Sequence, residues 1–98
     1  MAAPAPAPAP EPTDDAGLFH AAAEAARDDD PPRAIALYTA LLARFPASPL
    51  VASARYNRGL LLEGAADLEA AARDYRAIVD EASPDAPEHT WIDAHYRL

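Results

Sequence analysis

The residues best suited to chemistry lie near the end of the chain: Glu88, His89, Asp93 and His95. Imidazole and carboxylate groups ligate zinc and move protons at neutral pH. On a helix, His89 and Asp93 are four apart and share a face. His95 is six from His89 and falls well off that face. A zinc site draws three or four ligands to one point, so this spacing predicts a solvated helix start rather than a metal centre. His20 stands alone and reads as a surface or groove residue. Asp28, Asp29 and Asp30 lack the spacing of a calcium loop, and Pro31 follows them directly; they read as a turn. Ser48, Ser53 and Ser83 have no His and Asp partners at workable spacing, and no Gly-rich phosphate loop exists. Cys is absent from the whole chain, which excludes a disulfide, a thiolate site and a thiol nucleophile. The expectation is a protein without catalytic residues, metal or cofactor.

Charge narrows the partners. Sixteen acids oppose eight bases, a net charge of −8, and every base is Arg. Phosphate binding needs a concentrated positive face, so nucleic acid is not expected. An anionic membrane surface is disfavoured for the same reason. No apolar run approaches the ~18 residues of a membrane span, and no apolar signal core opens the sequence. That suggests a cytoplasmic protein, or one of the cell envelope if the natural N-terminus lies upstream. The lack of Lys beside abundant Ala, Arg, Pro and Asp suggests a genome rich in G and C.

The elements that position any site follow from proline and periodicity. In residues 1–12 Pro recurs at every second position from Pro4. It removes backbone donors and fixes φ, so this stretch is expected to be a disordered, extended tether. From residue 13 to 98 the pattern is helical. Helix one is predicted over about Asp14 to Asp28, with Thr13 as its N-cap. Asp30 caps helix two, with Pro31 in its first position. Ala34, Tyr38, Leu41 and Phe45 then recur at steps of four, three and four, widened by Ile35 and Leu42, and mark one buried face. Pro46 and Pro49 bracket a turn, and Ser48 is expected to cap helix three, which carries Tyr56, Gly59, Leu60 and Leu62 and stops near Gly64. Asp67 caps helix four, whose inner face holds Leu68, Ala71, Tyr75, Ile78 and Val79. A fifth helix starts near Pro87.

Internal similarity separates a plain bundle from a repeat array. Ala34, Tyr38 and Leu41 return as Ala71, Tyr75 and Ile78, each 37 residues on (71 − 34, 75 − 38, 78 − 41). Ala22 returns as Gly59 and Phe19 as Tyr56 at the same offset. Ala94 to Leu98 begins a further partial copy over Ala54 to Arg58. Small residues at 22, 34, 59 and 71 let helices approach closely, and aromatic rings fill the gaps between turns.

Ala54-Arg55-Tyr56-Asn57-Arg58-Gly59, followed by Asp67, Ala71, Tyr75 and Ile78, resembles the tetratricopeptide repeat. Ala34, Tyr38, Leu41 and Pro46 carry the same signature in the first unit. The resemblance covers about Asp15 to Leu98. Ala25 departs from it where the family prefers Tyr or Leu, and Arg55 and Arg58 replace large apolar residues beside the Gly. Arg44-Phe45-Pro46-Ala47-Ser48-Pro49 also looks like the long inter-repeat turns of bacterial cell-envelope members. The resemblance implies an all-α superhelix, with repeats over about 15–48 and 52–85 and the first helix of a third over about 86–98. Tyr96 aligns with Tyr56, so the array is expected to continue past Leu98. Tyr75, Ile78 and Val79 are then expected to form a C-terminal face covered only in part by Trp91 and Tyr96.

In this family the first helix of each unit lines a concave groove. The resemblance places Phe19, Ala23, Ala26 and Arg27 there from unit one, and Tyr56, Asn57, Leu60 and Glu63 from unit two. Chaperone-binding members grip a terminal carboxylate with several bases and an Asn. Asn57 matches that Asn, but the bases are missing, so a carboxylate clamp is not expected. The implied function is a non-enzymatic scaffold that binds an apolar segment, extended or helical, with little dependence on salt. The alternative is a purely structural repeat segment, or a self-association module within a longer array. The alignment itself is testable: Tyr38→Ala or Tyr75→Ala each costs about 3–5 kcal/mol, as for other buried aromatics. Thermal melts read that loss, and a Tyr75→Ala chain melting with its parent would put the register wrong.

Overall fold

The computed structural model describes residues 12–81 together with Ala94, Arg97 and Leu98. The tether and the cluster Glu88, His89, Asp93 and His95 lie outside the described residues, as do Trp91 and Tyr96. Among the described residues the fold is all-α: α1 (Asp15–Arg27), α2 (Pro31–Arg44), α3 (Val51–Gly64) and α4 (Leu68–Asp80). Consecutive helices pack on one another, α1 on α2, α2 on α3 and α3 on α4. Two helical hairpins therefore stand side by side, joined through α2 and α3. Ala94 and Arg97 are helical as well.

The hairpin turns repeat in bonding as well as in sequence. The N–H of Asp30 reaches back to the carbonyl of Ala25, and that of Asp29 to Ala26. Thirty-seven residues on (67 − 30, 66 − 29), Asp67 bonds Leu62 and Ala66 bonds Glu63. Each pair closes a helix end in a Schellman motif, which requires a left-handed residue just past the end. Asp29 (φ 59°) and Ala66 (φ 62°) occupy it. The next residue starts the following helix: Asp30 accepts from the N–H of Arg33, and Asp67 from that of Ala70. Both caps agree with the sequence expectation.

Two caps differ from expectation. The N-cap of α1 is Asp14 rather than Thr13, its carboxylate accepting from the Gly17 N–H at 2.7 Å. Asp is a full anion at the positive helix end, which favours it over a neighbouring hydroxyl. Helix α3 is capped by Leu50 without any side-chain bond. Ser48 is drawn away: its Oγ donates to Asp15 at 2.5 Å and accepts from the Leu50 N–H at 3.1 Å. The hydroxyl thus ties the turn after α2 to the start of α1. The Ser48 bond also holds the Asp15 carboxyl below its ordinary range.

The core keeps the 37-residue echo. Leu18, Ala22, Ala25, Ala34, Leu37, Tyr38, Leu41 and Ala54 form one buried cluster, and Ala71, Tyr75, Ile78 and Ala94 a second. Phe19 meets Tyr38 edge-on at 5.6 Å, and Tyr56 meets Tyr75 at 6.3 Å in a tilted pair. The apolar C-terminal face expected at Tyr75 and Ile78 is not open: both are buried, with Ala94 packed against them and Val79 half-buried beside them. Leu68 lies outside the core, 65% exposed. It is the first residue of α4, level with the 65–67 turn, where α3 has already ended.

One pair of positions buried in both hairpins differs in chemistry. Leu37 of the first hairpin corresponds to Asp74 of the second (74 − 37 = 37), and both are 4% exposed. Arg58 answers the charge with two bonds to its carboxylate, Nε to Oδ2 at 2.7 Å and Nη2 to Oδ1. Its Nη1 donates to Thr39 Oγ1 at 3.2 Å, so one side chain joins α2, α3 and α4.

A left-handed Ala carries a penalty that glycine avoids. Ala66→Gly is therefore expected to stabilise the chain by about 1 kcal/mol. In a chain of this size that raises the melting temperature by roughly 4–8 °C. A lower melting temperature would mean that residue 66 is not left-handed in solution.

Candidate functional site

A cleft of about 300 Å3 opens between the C-terminal half of α1 and the middle of α3. Ala23, Ala26 and Arg27 form one wall; Asn57, Leu60 and Leu61 form the other; the edge of Tyr38 closes the back. The two walls do not come from one hairpin. They meet because α2 packs on both α1 and α3, leaving the outer faces of the two first helices on one side of it.

Each wall follows from its helix. Leu18, Ala22 and Ala25 turn inward from α1, which leaves Ala23, Ala26 and Arg27 on an adjacent, open strip. On α3, Ala54 and Gly59 are the buried residues, and Leu60 remains half-exposed. Asn57 is fixed by its amide Nδ2, which donates to the Tyr38 hydroxyl at 3.1 Å. That bond crosses from α3 to α2 and anchors the one polar side chain of the α3 wall.

The structure thus brings together Ala23, Ala26, Arg27, Asn57 and Leu60 of the residues expected in the groove. Phe19, Tyr56 and Glu63 do not line the cleft. Phe19 is turned onto Tyr38 and Tyr56 onto Tyr75, because each ring finds a partner in the core behind it. Glu63 is held by Arg97 at 2.8 Å. Tyr38 and Leu61 line the cleft and were not foreseen in it. Tyr38 belongs to the core stripe of α2, and only its edge reaches the surface. Leu61 follows Leu60 and carries no repeat signature of its own.

The electrostatics are sparse. Arg27 sits in the last turn of α1, where the helix dipole favours a cation. Burial pushes the Tyr38 phenol above its ordinary value, against smaller opposing effects of the Asn57 bond and the Arg27 charge. Burial also raises Tyr75 strongly, and the Glu63 carboxylate beside it adds to the shift. Carboxylate and hydroxyl do not reach hydrogen-bond geometry, which leaves the buried Tyr75 Oη without a partner among the described residues. No nucleophile with an adjacent base lines the cleft. Among the described residues, no group of three or more His, Asp or Glu side chains could hold a metal ion. Nor is any described helix long and apolar enough to cross a membrane.

Comparison with known proteins finds no match to a family model, to a curated protein or to a solved structure.

The phenol shifts set a direction for pH dependence. A group whose folded pKa is raised contributes stability that is complete below its unfolded value, ~10 for Tyr. That contribution is lost as pH rises through the folded value. The chain is therefore expected to lose helicity above pH ~10, with tyrosinate absorbance rising in the same transition. Ionisation of all four Tyr with the helices intact would contradict the burial of Tyr38 and Tyr75.

Proposed function

We propose that the chain is a non-enzymatic protein-interaction module of the tetratricopeptide type, which receives an apolar segment of a partner protein in the cleft between α1 and α3. One observation carries this reading. Five of the eight residues that the tetratricopeptide resemblance assigns to a groove line one cleft, although they come from two different hairpins. The cleft has a largely apolar lining and few polar groups at fixed positions, which is the make-up of a recognition site. It offers no paired acid and base, so binding rather than turnover is the chemistry it supports. The family assignment rests on the repeat signature, the paired turns and the aromatic pairs.

The central residue is Leu60, half-exposed on the α3 wall. An Arg there fills the cleft with a charge while leaving both buried clusters untouched. Leu60→Arg is therefore expected to lower capture of a partner from an extract of the source cell by roughly 30-fold, a hot-spot change of ~2 kcal/mol. Its melting temperature is expected to match the parent. Equal capture by parent and variant would sink the reading.

A further inference from the structure

The cleft also constrains the chemistry of what fills it, an inference that rests on the reading above. Its apolar lining is Ala23 and Ala26 on one wall and Leu60 and Leu61 on the other. At about 300 Å3 it lies at the small end of ligand pockets, with room for a large apolar side chain. Its polar groups are mostly donors. The Asn57 amide already gives one N–H to Tyr38. Arg27 is the one charged side chain of the lining, and among the described residues no ion pair engages it. Of the acids around it, Glu24 contacts His20 at 3.1 Å and Asp30 caps α2, while Asp28 and Asp29 follow Arg27 in the turn without pairing with it.

An occupant seated on that lining passes over the guanidinium. Covering a cation without a counter-charge is costly. A carboxylate brought against it removes the cost and adds charge-assisted hydrogen bonds, bidentate where the planes align. We propose that the cleft selects a segment bearing a large apolar side chain with a carboxylate beside it. The apolar group rests on Leu60 and Leu61, and the carboxylate meets Arg27. The net charge of −8 opposes a strongly acidic segment at long range. The preference is therefore for a single acid next to the anchor and not for an acidic run.

The test pans a random library of short displayed peptides against the full chain, with Leu60→Arg and Arg27→Gln as parallel baits. Parent bait is expected to enrich a large apolar residue with Asp or Glu at one fixed spacing. Arg27→Gln is expected to keep the apolar enrichment and lose the acidic one. A synthesised winner is expected to bind Arg27→Gln about two- to five-fold more weakly, the range of an exposed ion pair. Its own Glu→Gln version is expected to show the same loss against the parent chain, and no further loss when both changes are combined. Apolar enrichment without an acid, or an acid retained on Arg27→Gln, overturns this inference and leaves the proposed function standing. Peptide pools that do not differ between parent and Leu60→Arg overturn both. Matching thermal melts of the three baits establish that each is folded.

Discussion

The second hairpin depends on the absence of a side chain at residue 59. A Cβ there would come within 2.6 Å of the Tyr75 ring, closer than two carbons can approach. Bare backbone at this point lets α4 lay its largest buried side chain directly on α3. The ring then carries three other features. It receives Tyr56 at its side, it takes Ala71 and Ile78 as neighbours in one cluster, and it has Ala94 packed into the same cluster. The first hairpin solves the same problem with Ala22, fully buried in the cluster that holds Tyr38. A small residue on one helix and a Tyr on the next is thus the repeated joint of the fold. In both hairpins an aromatic ring three residues before the small one, Phe19 or Tyr56, braces the Tyr.

Within that frame, Arg58 and Asp74 form the costly part. A carboxylate in place of Leu37 must be desolvated, and the Coulomb attraction of its partner offsets that cost only with good geometry. The geometry here is a fork: two guanidinium nitrogens meet the two carboxylate oxygens, and the third reaches Thr39. Thr39 is itself bonded to the Ile35 carbonyl at 2.7 Å. The arrangement fixes the rotation of α4 against α3 and the contact of the second hairpin with α2. An apolar pair at 58 and 74 would pack at least as favourably, but it would allow other rotations. The ion pair therefore contributes registry between the hairpins more than net stability. It also explains how two Arg residues beside Gly59 coexist with close packing. Arg58 pairs with the buried Asp74, and Arg55 with the exposed Glu81.

What the sequence made legible was local or periodic. Asp30 and Asp67 could be placed as caps because each stands directly before its helix. Tyr38, Tyr75, Ala34 and Ala71 could be placed in the core because each stripe keeps the helical period and the two copies confirm each other. What stayed hidden depends on partners distant along the chain. Ser48 looks like an ideal cap until Asp15, 33 residues earlier, claims its hydroxyl. Asp74, between Arg73 and Tyr75, looks like a solvated residue until Arg58 is placed beside it. Leu68 fits the inner stripe of α4 by spacing, yet spacing does not tell where the facing helix ends. The groove assignment divides in the same way: Phe19 and Tyr56 were claimed by the core and Glu63 by Arg97.

The cleft is itself a product of imperfect repetition. Ala23 and Ala26 correspond, 37 residues on, to Leu60 and Glu63, and Arg27 to Gly64. Had the first helix carried large residues at 23 and 26, they would fill the space facing Leu60 and Leu61. Had the second carried Ala at 60, the cleft would lose its largest apolar contact. Because small residues on α1 face large ones on α3, a hollow opens between the two helices. The position that diverges between the copies with both residues in the cleft, 23 against 60, shapes the open surface. The turns, the small-residue joints and the two Tyr repeat faithfully, and they hold the walls at a fixed separation. Divergence at Leu37 and Asp74 is tolerated in the core only because Arg58 compensates for it. No such compensation exists at the cleft, where the mismatch between the copies remains open to an occupant.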